Sequence, residues 1–253
     1  MSPVFALANQ KGGVGKTTTA INLGAAIGAL ERRVLLVDCD PQGNASRGLG
    51  IRIAGRPHLY HALTDQAPIE SVVLSTGFPH FDIIPSDRDL VGAEVEFVGE
   101  AGWENRLKTL LAPLVDRYAA VLLDCPPSLG HLTVLALTAS SGVLVPLQCE
   151  YFALEGISEL VSTVGRVQSS LNPELTIFGV VLTMYDDRTN LSRDVAEEAR
   201  RHFGSKVFST VIPRNIRLAE APSHAMPILQ YDIKSRGAEA YLALGREFLE
   251  RLP

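Results

Sequence analysis

The 253-residue chain is 46% hydrophobic and 20% charged with a formal net charge of −5, which supplies a sizeable core and excludes a protein coated in positive potential. No apolar run approaches the length of a membrane span, and the run at residues 4–8 is too short for a signal peptide, so a soluble, cytoplasmic protein is expected. Cys39, Cys125 and Cys149 are odd in number and lack metal spacing, the pattern of reduced thiols.

Residues 4–9 read as a buried strand, and residues 17–30 as a helix with apolar side chains at Ala20, Ile21, Leu23, Ala26, Ile27 and Leu30. Between them runs Ala8-Asn9-Gln10-Lys11-Gly12-Gly13-Val14-Gly15-Lys16-Thr17-Thr18-Thr19. Gly12, Gly13 and Gly15 let successive backbone N–H groups turn inward, and the following helix aims its positive end at the same point, so this stretch predicts a phosphate cradle. Lys16 reaches the β- and γ-phosphates in such a loop, and the Thr17 hydroxyl is placed for magnesium. The common pattern G-x-x-x-x-G-K-[ST] requires glycine where Gln10 stands, so the loop is a variant, and it carries a second lysine, Lys11. Two lysines side by side repel unless an anion sits between them.

A second buried strand is expected at residues 33–38, giving a β-loop-α-β unit and hence a parallel sheet. From 41 to about 98 glycines and prolines break the pattern, with a short strand at 82–85 and no chemistry legible in 43–100. Further on, helices are predicted over 103–118, 129–139, 154–171, 191–203 and 237–252, and strands over 120–124, 142–148, 177–184 and 207–213. The alternation, with no linker or repeat, points to one doubly wound α/β domain over residues 1–253, a mostly parallel sheet flanked by helices.

Two of these strands end in acids, Val34-Leu35-Leu36-Val37-Asp38-Cys39-Asp40 and Val121-Leu122-Leu123-Asp124. Ligands of open parallel sheets sit beyond the carboxyl ends of the strands, where a buried strand delivers a carboxylate rigidly beside phosphates. Asp124 is therefore expected on the metal side; of Asp38 and Asp40, one is expected to hold metal or water and the other to position the attacking water. Residues 1–185 carry 12 basic against 18 acidic side chains, whereas residues 186–246 carry 10 against 8, so basic character is confined to the C-terminal quarter. The last helix has an apolar stripe of Ala238, Tyr241, Leu242, Phe248, Leu249 and Leu252, with Glu239, Glu247 and Glu250 opposing Arg246 and Arg251. That polar face is too acidic for membrane docking, so packing on the domain body is expected.

Lys11 to Thr18 resembles the deviant phosphate loop of the ParA/MinD group of ATPases, and Asp38 to Gln42 and Asp124-Cys125-Pro126-Pro127-Ser128 resemble its second and third motifs. The stretches 146–156, 182–190 and 212–223 are similar to the ParA (Soj) type of chromosome or plasmid partition ATPase specifically, and the likeness runs from about residue 4 to residue 250. The resemblance implies ATP and magnesium as cofactors, with Lys11, Gly12, Gly13, Val14, Gly15, Lys16, Thr17 and Thr18 around the phosphates and Pro213 and Asn215 flanking the adenine. It also implies magnesium near Thr17, Asp38 and Asp124, and Asp40 orienting the hydrolytic water. Lys11 would reach across an ATP-dependent homodimer to the partner's phosphates, as an arginine finger does.

The same resemblance implies non-specific double-stranded DNA binding, through Arg188, Arg214, Arg217, Lys234 and Arg236, and stimulation by a ParB-type centromere-binding protein on the nucleoid. A MinD-like membrane-cycling regulator is the alternative, disfavoured by the acidic last helix. An iron–sulfur reductase resembling the nitrogenase iron protein needs paired bridging cysteines, which the placement of Cys125 beside Asp124 argues against. A small-molecule ATP ligase shares the fold but has no substrate pocket readable from sequence.

Overall fold

Strands without a polar face need helices on both sides, and the chain supplies them in alternation. The computed structural model describes residues 4–97, 99–150 and 155–252. The first half runs β1 (Val4–Leu7), α1 (Lys16–Ala29), β2 (Val34–Asp38), α2 (Asn44–Gly48), α3 (Leu59–Leu63), β3 (Leu74–Ser75), β4 (Phe81–Ile84), α4 (Leu90–Glu96) and α5 (Arg106–Leu111). It continues with β5 (Ala120–Asp124), α6 (His131–Ala139), β6 (Gly142–Gln148), α7 (Glu155–Ser170), β7 (Thr176–Thr183) and α8 (Asn190–Phe203). Three helices follow: α9 (Ile216–Glu220), α10 (Ile228–Tyr231) and α11 (Arg236–Glu250).

The seven strands form one sheet in the order β3-β4-β2-β5-β1-β6-β7. Every neighbouring pair is parallel except β3 with β4. This is the doubly wound, mostly parallel sheet expected. Successive side chains alternate between its faces. Ala6, Leu35, Val37, Val121 and Leu123 meet the cluster under α3 to α8. Phe5, Leu7, Leu36, Leu122 and Leu144 meet the cluster under α1 and α9 to α11.

Helix α1 is buried over most of its surface because it lies between the sheet and α11. Gly24 permits the first contact, since a Cβ there would lie 2.6 Å from the Phe81 ring. Gly245 permits the second, where a Cβ would come within 2.9 Å of the Ala26 methyl. Tyr241 and Thr19 join their hydroxyls at 3.1 Å across the same interface. The last helix thus packs on the body as expected, although its buried stripe includes Leu244 while Leu242, Leu249 and Leu252 are only partly covered. Among the described residues no helix is long and apolar enough to cross a membrane.

Two expected elements differ. The helix predicted over 103–118 is divided into a 3-10 turn at Trp103–Asn105, α5, and a second 3-10 turn at Val115–Arg117; α5 stops at Leu111 because Pro113 lacks the N–H that would continue it. The strand predicted over 207–213 is reduced to isolated bridges, Val180 with Val207 and Tyr185 with Pro213. The Glu247 carboxylate accepts the Ser209 and Thr210 N–H groups at 2.7 and 2.9 Å, taking donors that a ladder would need. Residues Tyr151 to Leu154 of the stretch 146–156 lie outside the described residues.

Gly24→Ala should destabilise the fold by about 1–3 kcal/mol through overpacking, although alanine is the better helix former by about 1 kcal/mol. Shortening the opposing ring in Phe81→Leu should recover part of that loss in the double variant. Denaturant midpoints of the four proteins check this, and an unchanged midpoint for Gly24→Ala refutes it.

Candidate active site

The sheet order places the carboxyl end of β1 between those of β5 and β6, and residues 8–15 leave the sheet there. This is the crevice in which open parallel sheets bind ligands. Neighbouring strands anchor the loop. Asn9 donates from Nδ2 to the Pro146 carbonyl at 2.8 Å and accepts the Lys11 N–H on Oδ1 at 3.0 Å. Thr183, at the end of β7, donates its hydroxyl to the Val14 carbonyl at 2.8 Å. Gly13 and Gly15 adopt φ of 76° and 88°, a left-handed backbone that disfavours any side chain. No side chain caps the start of α1, so its first amides remain for a bound anion.

Lys16 is 7% exposed and donates from Nζ to the Lys11 carbonyl at 3.2 Å, across the loop it would share with a phosphate. Burial lowers its pKa, against the raising influence of Asp124, Cys125 and Asp40. Lys11 lies half-buried at the rim of the loop. The cavity between the loop and the end of β2, about 580 Å³, is lined by Gly12, Lys16, Thr17, Asp40, Asn44 and Arg47 among others. Arg47 and Asn44 carried no recognised signal in the sequence. Arg47 is held by the Gln42 carbonyl at 2.6 Å and Asn44 Oδ1 at 2.8 Å, so a cation is fixed at the cavity wall.

The three acids separate into distinct situations. Asp124 is fully buried, and neither carboxylate oxygen has a hydrogen-bond partner within bonding geometry. Desolvation holds its pKa well above the carboxylate range; Asp38 and Asp40 add to the shift, and the Thr17 hydroxyl and Lys16 oppose it. A buried carboxylate without partners, beside a threonine hydroxyl and a phosphate loop, fits the water shell of a divalent cation. Asp38, expected at the metal, gives both oxygens to the protein instead. Oδ1 accepts the Asp40 N–H at 3.3 Å, and Oδ2 accepts the N–H and hydroxyl of Ser46 at 2.8 and 2.7 Å. Burial pushes its pKa up to about 6 despite these bonds. Asp40 lines the cavity, with Oδ1 tied to the Gln42 N–H at 2.9 Å.

A second cavity of about 400 Å³ shares Gly15, Thr18 and Met184 with the first and is walled by Ile212, Pro213, Asn215, Leu218 and Tyr241. Its apolar lining and its position next to the phosphate loop suit a flat heterocycle, and Pro213 and Asn215 are both in its wall. Met184 holds φ of 51°, a strained value for a side-chain-bearing residue, where the chain turns between the two cavities.

The five basic residues are dispersed and mostly paired. Arg188 makes a bidentate contact to Asp186 at 2.9 and 2.7 Å. Arg214 pairs with Glu150 at 3.1 Å and Arg236 with Asp187 at 3.7 Å. Arg217 bridges Glu220 at 2.9 Å and Asp232 at 3.5 Å. Arg188, Arg214 and Arg236 line one open groove of about 760 Å³ with Tyr185, Ile216 and Glu239, whereas Arg217 and Lys234 are outside its wall. The expected basic patch is therefore interleaved with acids that the one-dimensional charge count did not place.

Cys39, Cys125 and Cys149 are free and buried. Burial raises the thiol pKa of each, that of Cys149 to about 12, so none is a ready thiolate for an exposed metal cluster.

Residues 2–177 match the family described as an AAA domain. The chromosome partitioning protein ParA of Caulobacter vibrioides is 55% identical over 98% of this chain and 94% of its own length. The chromosome-partitioning ATPase Soj of Treponema pallidum is 50% identical over 99% of this chain and 98% of its own. Among solved structures, cobyrinic acid a,c-diamide synthase from Mycobacterium smegmatis, with bound ADP and magnesium, superposes with a TM-score of 0.84 at 38% identity, covering 97% of this chain and 93% of that one.

Asp124→Asn should raise the thermal midpoint of the ligand-free protein, since a neutral amide is cheaper to bury than an unpartnered carboxylate. At this chain length each kcal/mol recovered is worth about 2–4 °C. Because folding raises the Asp124 pKa, its contribution favours folding at low pH and is lost as pH rises through the folded value. The advantage of the variant should therefore be greatest at neutral pH and shrink on acidification. Melting curves across pH check this, and a lower midpoint for the variant at neutral pH overturns it.

Proposed function

The chain belongs to the ParA/Soj family of chromosome-partitioning ATPases, and we propose that it works as a nucleotide-gated DNA clamp that hydrolyses ATP in the crevice described above. The observation that carries the catalytic half is the orphaned Asp124 carboxylate beside Thr17, at the foot of a glycine loop that also presents Lys16. Thr17 and Asp124 would hold magnesium, which when bound supplies positive charge to the phosphate oxygens.

Hydrolysis needs a water in line with the γ-phosphorus and positive charge on the oxygens around it. Asp40 would hold that water; in support, one of its oxygens is fixed by the Gln42 N–H and the residue lines the cavity. As water attacks, the bond between the γ-phosphorus and the β–γ bridging oxygen breaks and ADP leaves. Lys16 is pinned within the loop, so its charge meets the phosphates without reorganisation. Lys11, at the rim, reaches the phosphates of a second copy, which makes an ATP-bound homodimer the hydrolysing unit. Pro213 and Asn215 flank the adenine in the second cavity.

The groove lined by Arg188, Arg214 and Arg236, flanked by Arg217 and Lys234, is the surface offered to DNA. Its arginines exchange their carboxylate partners for backbone phosphates, so binding is independent of base sequence and salt-sensitive. Dimerisation doubles the surface and couples it to ATP. A ParB-type protein bound to the centromere stimulates hydrolysis and release, and the protein resides on the nucleoid. A MinD-like membrane cycle requires an amphipathic last helix free to dock, whereas the apolar face of α11 is committed to α1.

Binding to a long non-specific duplex is expected with ATP, but not with ADP or without nucleotide, and to persist in Asp40→Ala while hydrolysis is lost. Arg188→Glu and Arg217→Glu should each weaken DNA binding by about tenfold or more and flatten its salt dependence, leaving ATP KM unchanged. Sedimentation with anionic liposomes and ATP should leave the protein in the supernatant. DNA binding that is independent of ATP and insensitive to salt, or ATP-dependent recovery with liposomes, overturns the reading.

A further inference from the structure

The segment 43–100 carries no motif in the sequence, yet besides Asn44 and Arg47 at the cavity wall it supplies two buried serines that are bonded around Asp38 and Asp40. Strand β4 pairs with β2 in register, so the chain leaving β4 at Pro85 and Ser86 runs beside the chain leaving β2 at Cys39 and Asp40. Ser86 is 1% exposed and donates its hydroxyl to the Asp40 carbonyl at 2.7 Å. Its N–H donates to the Ser46 hydroxyl oxygen at 3.1 Å, and that hydroxyl donates to Asp38 Oδ2 at 2.7 Å. Asp38 Oδ1 returns to the N–H of Asp40. The loop is closed: Asp38, Ser46, Ser86 and Asp40 form a buried ring of hydrogen bonds with Asp40 held at both ends of its own residue. The two segments are in close contact, since a Cβ on Gly43 would lie 2.7 Å from the Ser86 carbonyl oxygen.

The geometry points to Ser46 and Ser86 as positioning residues for hydrolysis, which set the direction of the Asp40 carboxylate through its backbone. The assignment rests on the reading that Asp40 holds the attacking water. Neither serine lines the nucleotide cavity, so neither is a contact for ATP. Asp38 belongs to the same device: its charge serves to receive three donors and hold Asp40, in place of the metal-side role expected from its position. A side chain whose catalytic angle depends on backbone support loses rate when the support is loosened, while substrate affinity, set by other contacts, is retained.

The test is single-turnover hydrolysis of magnesium-ATP by the full chain, with ATP affinity measured separately by a fluorescent ATP analogue. Ser86→Ala and Ser46→Ala are each expected to reduce the hydrolysis rate by about tenfold, the effect of one lost buried hydrogen bond, with ATP affinity within about twofold of the parent. Because both hydroxyls act in one ring, the double variant should lose no more than the worse single variant. Ser46→Thr, which keeps the hydroxyl, should restore the rate. Ser86→Cys, similar in size and a weak donor, decides the matter if Ser86→Ala does not fold, and should also lose rate at constant affinity. A parental rate in the serine variants, or a loss of affinity that matches the loss of rate, overturns the assignment. Asp40→Ala in the same assay separates the two levels: if it hydrolyses normally, the reading of Asp40 fails; if only it is inactive, the ring alone fails.

Discussion

Burial of negative charge beneath the phosphate loop is the constraint on which the rest of the site depends. Parallel register sets Asp38 directly beside Asp124 at the ends of adjoining strands, both inaccessible to water. In a medium of low effective dielectric such a pair repels strongly unless protons, hydrogen bonds or cations intervene. The protein resolves the conflict asymmetrically. Asp38 receives three internal donors. Asp124 has no partner within bonding geometry, and burial holds its pKa raised against the opposing influence of the Thr17 hydroxyl and Lys16. Stability is thus given up locally at a position suited to a cation, as expected where function requires it.

The scaffold makes that arrangement possible because each component is fixed by a neighbouring strand rather than by its own loop. Asn9 ties the phosphate loop to β6, and Thr183 ties it to β7. Tyr241 both supports α1 through Thr19 and contributes to the wall of the apolar cavity. The two cavities are thus held by segments distant in sequence, with the short strained turn at Met184 between them.

Much of this was legible in the sequence, for a physical reason: strands buried on both faces are written as unbroken apolar runs, and the residues ending them occupy the ligand side of a parallel sheet. The phosphate loop and the sites of Lys16, Asp40 and Asp124 follow from that rule. Partnership was not legible. Asp38 and Asp124 follow similar apolar runs, and only the presence of Ser46 eight residues further on, folded back by Gly43, gives one of them donors. The arginines of the C-terminal quarter count as excess charge along the chain, yet Arg214 meets Glu150 from a distant segment. The failed strand at 207–213 has the same origin, since its donors are taken by Glu247 across 38 positions. Long-range side-chain-to-backbone bonds leave no local periodicity to read.

The hydroxyl contact between Thr19 and Tyr241 spans 222 positions, and this has a consequence for how the protein is made. Helix α1 emerges early from the ribosome with an apolar surface on two sides, one for the sheet and one for α11. Its outer side stays uncovered until α11 has been synthesised, and closing so long a loop is slow relative to local helix formation. A chain lacking α11 therefore exposes Ala26 and its neighbours to other chains.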